Sequence, residues 1–164
     1  MQIGERVSTK DLRGVDIFTG LSDNSLEQVA KFCKQRVCEA GEYCGAQGET
    51  IDQLLIVNGG KVAIEMRVDV APHTHTVTVT TLTKGRVCAW SALVPPHVLT
   101  ASVRCIERTP MVSIAASDLQ RIFEAEPSIE RTVMKNLAGV ISSRLRESHT
   151  QLVRLIAEVI KQGR

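Results

Sequence analysis

Short runs rich in β-branched residues, separated by glycine and proline turns, dominate the chain between residues 36 and 114. Such runs favour strands because branched side chains pack well on a pleated sheet, whereas Gly and Pro mark the turns between them. Many short strands at this spacing are typical of a sandwich or a jelly roll. The predicted strands are Arg36–Glu39, Glu42–Ala46, Gln53–Val57, Lys61–Met66, Thr74–Leu82, Thr100–Ile106 and Pro110–Ile114.

The run from His75 to Leu82 alternates clearly between valine and threonine. Alternate side chains of a strand lie on the same face, so the valines share one face and most of the threonines share the other. We therefore predict a strand whose valine face, formed by Val77 and Val79, lies on the core and whose threonine face meets solvent.

Helical periodicity flanks the predicted strands on both sides. Before them, a helix is predicted over Ser22–Lys34, with Ser22 as its cap and apolar residues at spacings of three and four. After them, a short helix is predicted from Ser117 or Asp118 to Ala125. A second, much longer helix is predicted over residues 128–161.

The long predicted helix carries an apolar stripe along its whole length. At about 1.5 Å per residue it would extend about 50 Å, which is more than a domain of this size can cover. We therefore predict a homodimer through its distal half; the alternative is that the helix bends back onto its own domain. The residues expected at the dimer interface are Val140, Ile141, Leu145, Leu152, Leu155, Ile156 and Val159.

Composition narrows the class of protein. A length of 164 residues with 43% apolar residues fits one soluble domain, predicted to span 1–164. A net charge of +2 does not indicate nucleic acid or an acidic membrane as a partner. The sequence has neither an apolar run of about 20 residues nor an N-terminal signal core, so we expect a cytoplasmic protein without membrane contact.

The five cysteines are odd in number and lack paired C-x-x-C spacing. In strand-like, apolar surroundings this pattern favours reduced and mostly buried thiols rather than disulfides or a metal site. They are Cys33, Cys38, Cys44, Cys88 and Cys105.

The segment from Lys84 to Val103 holds the candidate binding chemistry. It passes Gly85 after a predicted strand and then opens a helical turn near Trp90. Free amides at the start of a helix attract anions, because the N–H groups and the helix dipole both point outward. The geometry alone therefore predicts an anion site here.

This segment resembles the phosphate-binding cassette of the cyclic-nucleotide-binding domain, the sensor module of the catabolite-activator and Fnr (Crp-Fnr) regulators. The family pattern is roughly F-G-E-x-A-L, a short variable loop, and then R-[TA]-A-[ST]-V. In this alignment Cys88 and Ala89 take the Phe and Gly positions. Trp90 stands where the family has Glu, and Leu99 where it has Arg, whereas the A-L pair and the closing T-A-S-V are retained.

Matches on both sides of the cassette follow the order of the family. They are Ile17–Ser22, Gly41–Glu49, Asp52–Val62, Asp118, Leu119, Phe123, Pro127 and Arg144–Arg146. The resemblance implies a mainly β fold with flanking helices, namely a jelly-roll β-barrel (a double-stranded β-helix) with N-terminal helices and a long C-terminal helix. The implied parts are N-terminal helices at 7–35, a barrel at 36–114 with its cassette at 85–103, and closing and dimerisation helices at 117–162.

The resemblance also implies a ligand chemistry, which the two replacements alter. In the family the cassette Glu accepts the ribose hydroxyl and the Arg pairs with the cyclic phosphate. Losing such a charge-assisted contact costs about 1.5–3 kcal/mol, so we do not expect cyclic AMP or GMP to bind in the usual mode. Trp90 either stacks on an altered ligand or plugs the pocket. The candidate ligand-binding residues are Gly85, Ala89, Trp90, Ser91, Ala92, Leu99, Thr100 and Ala101.

Two further groups are candidates for ligand contact. Arg86, Arg104 or His97 could supply a displaced positive charge. Ser148 and His149 lie where family members reach from the long helix toward the ligand base, although an exposed polar pair is the simpler interpretation.

Cofactor sites find less support. His73 and His75 could meet one metal on a strand face, as in cupins, but the expected carboxylate is missing and a solvated hairpin tip is the simpler prediction. The cysteines do not reproduce the N-terminal cluster of iron–sulfur Fnr proteins. Haem ligation stays open because axial ligands follow no fixed spacing. We predict no metal and no obligatory cofactor, with a cyclic nucleotide or another small anionic ligand as the candidates.

The sequence shows no nucleophile elbow, Walker loop or paired carboxylates, so we predict no enzyme. Regulators of this family place a helix-turn-helix after the long helix, whereas this sequence ends at Arg164, so we expect no DNA-binding domain and no direct DNA binding. The leading hypothesis is a sensor or regulatory module with an altered pocket. The alternatives are a ligand-free dimerisation scaffold with a decayed cassette, a cyclic-nucleotide site with non-standard contacts and, last, a cupin-like enzyme.

Overall fold

The computed structural model describes residues 6–163, so both ends of the predicted 1–164 domain lie outside the described residues. The chain begins with helix α1 (Thr9–Leu12), a 3₁₀ turn (Asp16–Phe18) and helix α2 (Asp23–Ala30). The hydroxyl of Ser22 accepts the amide of Ser25 and caps α2 as predicted. The prediction that this helix continues to Lys34 is wrong, because the chain turns after Ala30 and the next residues pair in a sheet.

Seven strands follow, close to the predicted positions. They are β1 (Lys34–Cys38), β2 (Tyr43–Gly45), β3 (Gln53–Val57), β4 (Val62–Val70), β5 (His73–Leu82), β6 (Ser102–Cys105) and β7 (Thr109–Ala115). A three-stranded antiparallel sheet has the order β1-β7-β3, and a four-stranded antiparallel sheet has the order β2-β6-β4-β5. The two sheets face each other around a shared interior, which is the predicted jelly-roll arrangement.

The β4–β5 hairpin corrects one expectation from the sequence. The two strands pair over their full length, and the hairpin turns at Ala71 and Pro72. Val77 and Val79 are only half-buried, and the outer half of β4 is exposed on both faces. The prediction of a buried valine face is therefore wrong, because the hairpin extends past the opposing sheet that would have covered it.

The interior divides into two apolar clusters on the two sides of β3. Leu54 and Ile56 face a helix-side cluster, whereas Leu55 and Val57 face a barrel cluster, so both faces of this strand are buried. The helix-side cluster includes Leu12, Val15, Ile17, Phe18, Leu26, Val29, Val112, Ile114, Leu119, Phe123, Ile129, Val133, Leu137 and Val140. The barrel cluster includes Cys38, Val62, Ile64, Leu82, Cys88, Ala89, Leu99, Val103, Cys105 and Met111.

Two closing helices, α3 (Ala116–Ala125) and α4 (Pro127–Gln162), complete the described chain. Pro127 at the first turn of α4 needs no amide partner there and suits a helix start. The buried residues Ile129, Val133, Leu137 and Val140 anchor the first half of α4 to the helix-side cluster. Among residues 6–163, no helix is both long enough and apolar enough to cross a bilayer.

The distal half of α4 lies beside strand β5 as far as Arg154 and leaves its apolar stripe exposed. Its predicted interface residues are 46–69% exposed, so the alternative of a helix folded back over its own domain is wrong for this stripe. They are Leu145, Leu152, Leu155, Ile156 and Val159. The predicted interface is corrected at its near end, because Val140 is buried within its own domain and Ile141 is half-buried against the same cluster.

A buried ion pair joins three neighbouring strands of the four-stranded sheet. The Arg104 guanidinium donates to Oε1 of Glu65 from Nε at 2.9 Å and from Nη2 at 2.6 Å, and the Tyr43 hydroxyl lies 3.2 Å from Oε2. Only 4% of Glu65 is exposed. The hydrogen bonds from Arg104 outweigh the effect of burial and hold the pKa of Glu65 below its ordinary value of 4.5.

A lowered pKa means that the folded state binds the ionised form of Glu65 more favourably than the unfolded state does. The stabilisation is therefore complete above about pH 4.5 and is lost as the pH falls through the pKa of the folded state. We predict that Glu65→Gln lowers the free energy of unfolding at pH 7 and that the difference from the native protein shrinks in acid. Urea unfolding at pH 7 and in acid tests this, with the exposed Glu107→Gln as the control. Equal stability of Glu65→Gln and the native protein at pH 7 would contradict the prediction.

Candidate functional site

The cassette begins at Gly85, whose backbone only glycine adopts comfortably. Its φ is +86°, and a side-chain carbon added there would lie 2.9 Å from the carbonyl oxygen of Gly14. Its amide donates to the Val57 carbonyl at 2.8 Å, and its carbonyl accepts the Asp16 amide at 2.8 Å. Gly85 therefore ties the start of the cassette to strand β3 and to the N-terminal 3₁₀ turn.

Val87 connects the cassette to the long helix. Its amide lies 3.3 Å from both carboxylate oxygens of Asp16, and its carbonyl accepts Nη2 of Arg144 at 3.3 Å. Val87 also bridges to Ile56 of β3. The side chain of Arg144 is 12% exposed and is further held by Glu147 at 3.2 Å. Three parts of the fold thus meet on one residue of the cassette.

The carboxylate in this arrangement is itself shielded from water. Burial raises the pKa of Asp16 above its ordinary value, although the amides of Val87 and Ile17 and the guanidinium groups of Arg86 and Arg144 oppose the shift. Arg86 lies closest, at 3.6 Å from Oδ2. Asp16 therefore serves as a desolvated acceptor that positions the cassette.

The cassette turn is a short 3₁₀ helix, Trp90–Leu93, rather than a regular α-helix. Ala89 precedes it in a non-helical conformation. Within the described part of the chain, the amides of Ala89, Trp90 and Ser91 have no hydrogen-bond acceptor. These three amides stay unpaired at the start of the turn, and no carboxylate stands at position 90.

Trp90 does not fill the barrel. It is half-buried and packs against the helix-side cluster together with Leu93, Val94 and Ile141. Its ring therefore contributes to the contact between cassette and α4.

Leu99 occupies the barrel side of the cassette instead. It is 4% exposed and belongs to the barrel cluster with Cys88 and Ala89. A side-chain carbon added to Gly45 would lie 2.6 Å from Cδ1 of Leu99, so the leucine packs directly on the β2 backbone. The position expected to carry an arginine thus holds an apolar side chain in close packing.

The three side chains proposed to supply a displaced charge are engaged elsewhere. Arg86 pairs with Asp16, and Arg104 pairs with Glu65. His97 has a positive φ of 60° and places Nδ1 3.3 Å from the Ser91 carbonyl and 3.1 Å from the Ala92 carbonyl. The structure therefore offers none of these three as a free cation for an anion at the cassette.

The long helix and strand β5 border an open groove with a volume of about 290 Å³. Gln151 closes one side by donating to the Val79 carbonyl at 3.4 Å. Ser148 is half-buried and His149 is exposed, and neither lines this groove. The lining residues are Val79, Ser143, Arg146, Glu147, Thr150, Gln151 and Arg154.

The sequence model of the "Cyclic nucleotide-binding domain" matches residues 35–126, which is more than half of the chain. The chain belongs to the cyclic nucleotide-binding domain family. No curated protein matches it in sequence.

Solved structures share the fold of this domain at low sequence identity. A cyclic nucleotide-binding domain from Methylobacillus flagellatus is 16% identical, with a TM-score of 0.78 and coverage of 89% of this chain and 83% of that one. The catabolite activator protein of Thermus thermophilus is 24% identical, with a TM-score of 0.68 and coverage of 85% and 62%.

A third similar structure is the regulatory subunit of a cAMP-independent protein kinase A from Trypanosoma brucei. It is 20% identical, with a TM-score of 0.69 and coverage of 89% of this chain and 49% of that one. That structure is of a triple mutant, one of whose substitutions introduces an arginine, bound to cAMP in the A site.

Within this cyclic nucleotide-binding fold, the predicted cassette residues differ in their exposure to solvent. Ala89, Ser91, Ala92 and Leu99 are buried; Gly85, Trp90 and Ala101 are half-buried; and Thr100 is exposed. Sequence reasoning missed Asp16 and the contact of Arg144 with Val87. Arg144 appeared only as part of a family match, and nothing local signals that Asp16 turns toward a segment 71 residues away.

Leu99→Ala tests the packing of the cassette. We expect it to destabilise the domain by about 2–5 kcal/mol, because a buried leucine is lost and the surrounding barrel can collapse only in part. Urea unfolding measures the change, and the half-buried neighbour Val98→Ala is the control. A loss no larger than that of Val98→Ala would show that Leu99 does not fill the barrel.

Proposed function

We propose that this chain is a non-enzymatic regulatory module of the cyclic nucleotide-binding fold whose pocket does not take cyclic AMP or GMP in the family's usual mode. Movement at the cassette is passed to α4, and the distal half of α4 joins two copies. The single observation that carries the proposal is the close packing of Leu99 in the position where the family has its phosphate-binding arginine.

The energetic argument rests on the missing arginine. An arginine–phosphate contact is charge-assisted and often bidentate, and its loss costs about 1.5–3 kcal/mol, or about 10- to 100-fold in affinity. Leu99 is 4% exposed and cannot donate a hydrogen bond to a phosphate. Trp90 likewise offers no carboxylate to a ribose hydroxyl.

The Trypanosoma brucei subunit offers a precedent within the fold. It is named a cAMP-independent regulator, and the variant bound to cAMP carries an added arginine. By analogy, this chain could regulate without binding cAMP. Its ligand would then differ from cAMP in the groups that the arginine and glutamate recognise.

The coupling part of the proposal rests on contacts between the cassette and α4. Arg144 of α4 donates to the Val87 carbonyl, and Trp90 and Leu93 pack on the cluster that also holds Val140. A shift of the cassette would therefore change the packing of α4 directly. This is a differential contact of the kind that lets one site bias another.

A ligand-free dimerisation scaffold is the second candidate, and the tight packing of Leu99 favours it as well. The two candidates differ in whether any metabolite stabilises the domain. A ligand present at 100 times its dissociation constant raises the free energy of unfolding by about 2.7 kcal/mol. A thermal-shift panel of anionic metabolites that leaves the melting temperature unchanged throughout would favour the scaffold.

Calorimetric titration tests the pocket. We expect no saturable heat when cyclic AMP or GMP is added to the native protein. The double variant Trp90→Glu/Leu99→Arg should bind cyclic AMP measurably, because it regains both charged contacts. The control is Trp90→Glu/Leu99→Gln, which has the glutamate but no positive charge at position 99. Micromolar binding by the native protein would contradict the proposal whether or not the double variant folds.

Sedimentation velocity tests the dimer. We expect the native protein to dimerise at micromolar concentration and Ile156→Glu to weaken the dimer at least tenfold, since an unpaired carboxylate is expensive to bury and about 1.4 kcal/mol equals a factor of ten. Ile156 is 50% exposed within one copy. Ala157→Glu, beside it and away from the stripe, is the control. The prediction would be contradicted if Ile156→Glu and Ala157→Glu dimerise equally well, or if the native protein is a monomer.

A further inference from the structure

Three cysteine side chains from three strands meet inside the barrel. The Sγ atom of Cys44 lies 2.9 Å from that of Cys38 and 3.3 Å from that of Cys105. All three sulfur atoms lie within 4.8 Å of one another. Among residues 6–163, this is the only group of three or more His, Cys, Asp or Glu side chains arranged closely enough to share one ion.

The fold brings these residues together through its sheet pairing. Cys38 ends β1 in the three-stranded sheet, whereas Cys44 and Cys105 lie on the paired strands β2 and β6 of the other sheet. The β2–β6 ladder shifts register between Tyr43 and Gly45. Cys44 is therefore the extra residue of a bulge, a device that redirects a side chain, and its thiol faces the interior.

The surrounding chemistry is that of a soft donor site. Cys38 and Cys105 are fully buried, Cys44 is half-buried as a whole residue, and the three thiols meet in a buried group. The thioether sulfur of Met111 lies 3.9 Å from Sγ of Cys38. Thiolate and thioether sulfur select soft metal ions such as Zn(II) and Cu(I).

No disulfide joins these cysteines, and their sulfur atoms lie close enough together to converge on one ion. A disulfide needs about 2.05 Å between its sulfur atoms. Thiolates at about 2.3 Å from a tetrahedral zinc ion lie about 3.8 Å apart. The distances of 2.9 Å and 3.3 Å could reach that value with side-chain movements of about 1 Å.

Charge selects among the soft ions. Arg36 lies on the same inward face of β1 as Cys38, two residues away, and pairs across the ladder with Met111. Three thiolates, one divalent ion and one guanidinium sum to zero, which avoids an uncompensated charge in the core.

We propose that Cys38, Cys44 and Cys105 bind one thiophilic metal ion, Zn(II) by the balance of charge, and so join the two sheets of the barrel. Water entering beside the half-buried Cys44 supplies the fourth ligand position. Each thiol that binds the ion releases its proton to solvent.

The test uses the reduced full-length chain under anaerobic conditions. Zn(II) and Cu(I) are titrated separately in competition with a chromogenic chelator, native mass spectrometry gives the stoichiometry, and Co(II) reports thiolate ligation through its charge-transfer absorption. We expect one ion per chain and a raised melting temperature. Cys44→Ser should weaken binding by more than about 100-fold, because losing even an outer-sphere partner costs about 10- to 100-fold.

Cys33→Ser is the matched control, since Cys33 is also half-buried but lies outside the group. It should bind as the native protein does. Tight one-to-one binding of either ion that depends on Cys44 supports the site. The site would be overturned if no such binding is found or if the two variants affect binding equally. It would also be overturned if the air-purified protein is two hydrogens lighter because two of the three cysteines form a disulfide. If Cys44→Ser does not fold, the Co(II) absorption of the native protein decides alone.

Discussion

The backbone of Val87 is the point on which the arrangement of the binding segment depends. Its amide donates to the carboxylate of Asp16, and its carbonyl accepts a hydrogen bond from Arg144 of the long helix. Its backbone also forms a β-bridge with Ile56. These contacts lock the cassette between the N-terminal turn, strand β3 and α4 before any ligand is considered. These contacts join the cassette directly to the long helix.

That frame separates two apolar interiors with different roles. The helix-side cluster receives Trp90 and anchors the first half of α4, whereas the barrel cluster receives Leu99 and holds the three converging thiols. A residue that would recognise a ligand in the family thus serves packing here. The chain keeps the architecture of the cyclic nucleotide-binding family while the barrel interior carries apolar and sulfur chemistry.

The fold could be predicted well wherever local pattern and tertiary environment agree. The strand Gln53–Val57 was placed correctly because a strand buried on both faces has a continuous apolar run that the sequence shows directly. The start of α4 was predicted within one residue because Pro127 marks it. The valine face of β5 failed because alternation shows a strand but not what covers it. The meeting of Cys38, Cys44 and Cys105 could not be predicted, since it depends on strand pairing across 61 residues and on one bulge. The direction of the Trp90 side chain could not be predicted either, because an irregular turn leaves no periodic signal.

The most direct test of the proposal that cyclic nucleotides do not bind in the family's usual mode is the fluorescence of Trp90. It is the only tryptophan of the chain and lies half-buried where the cassette meets the helix-side cluster. Any closure of the cassette on a nucleotide would change its surroundings. Titration with cyclic AMP and cyclic GMP should leave both the intensity and the emission maximum unchanged, whereas a saturable change at micromolar nucleotide would contradict the claim.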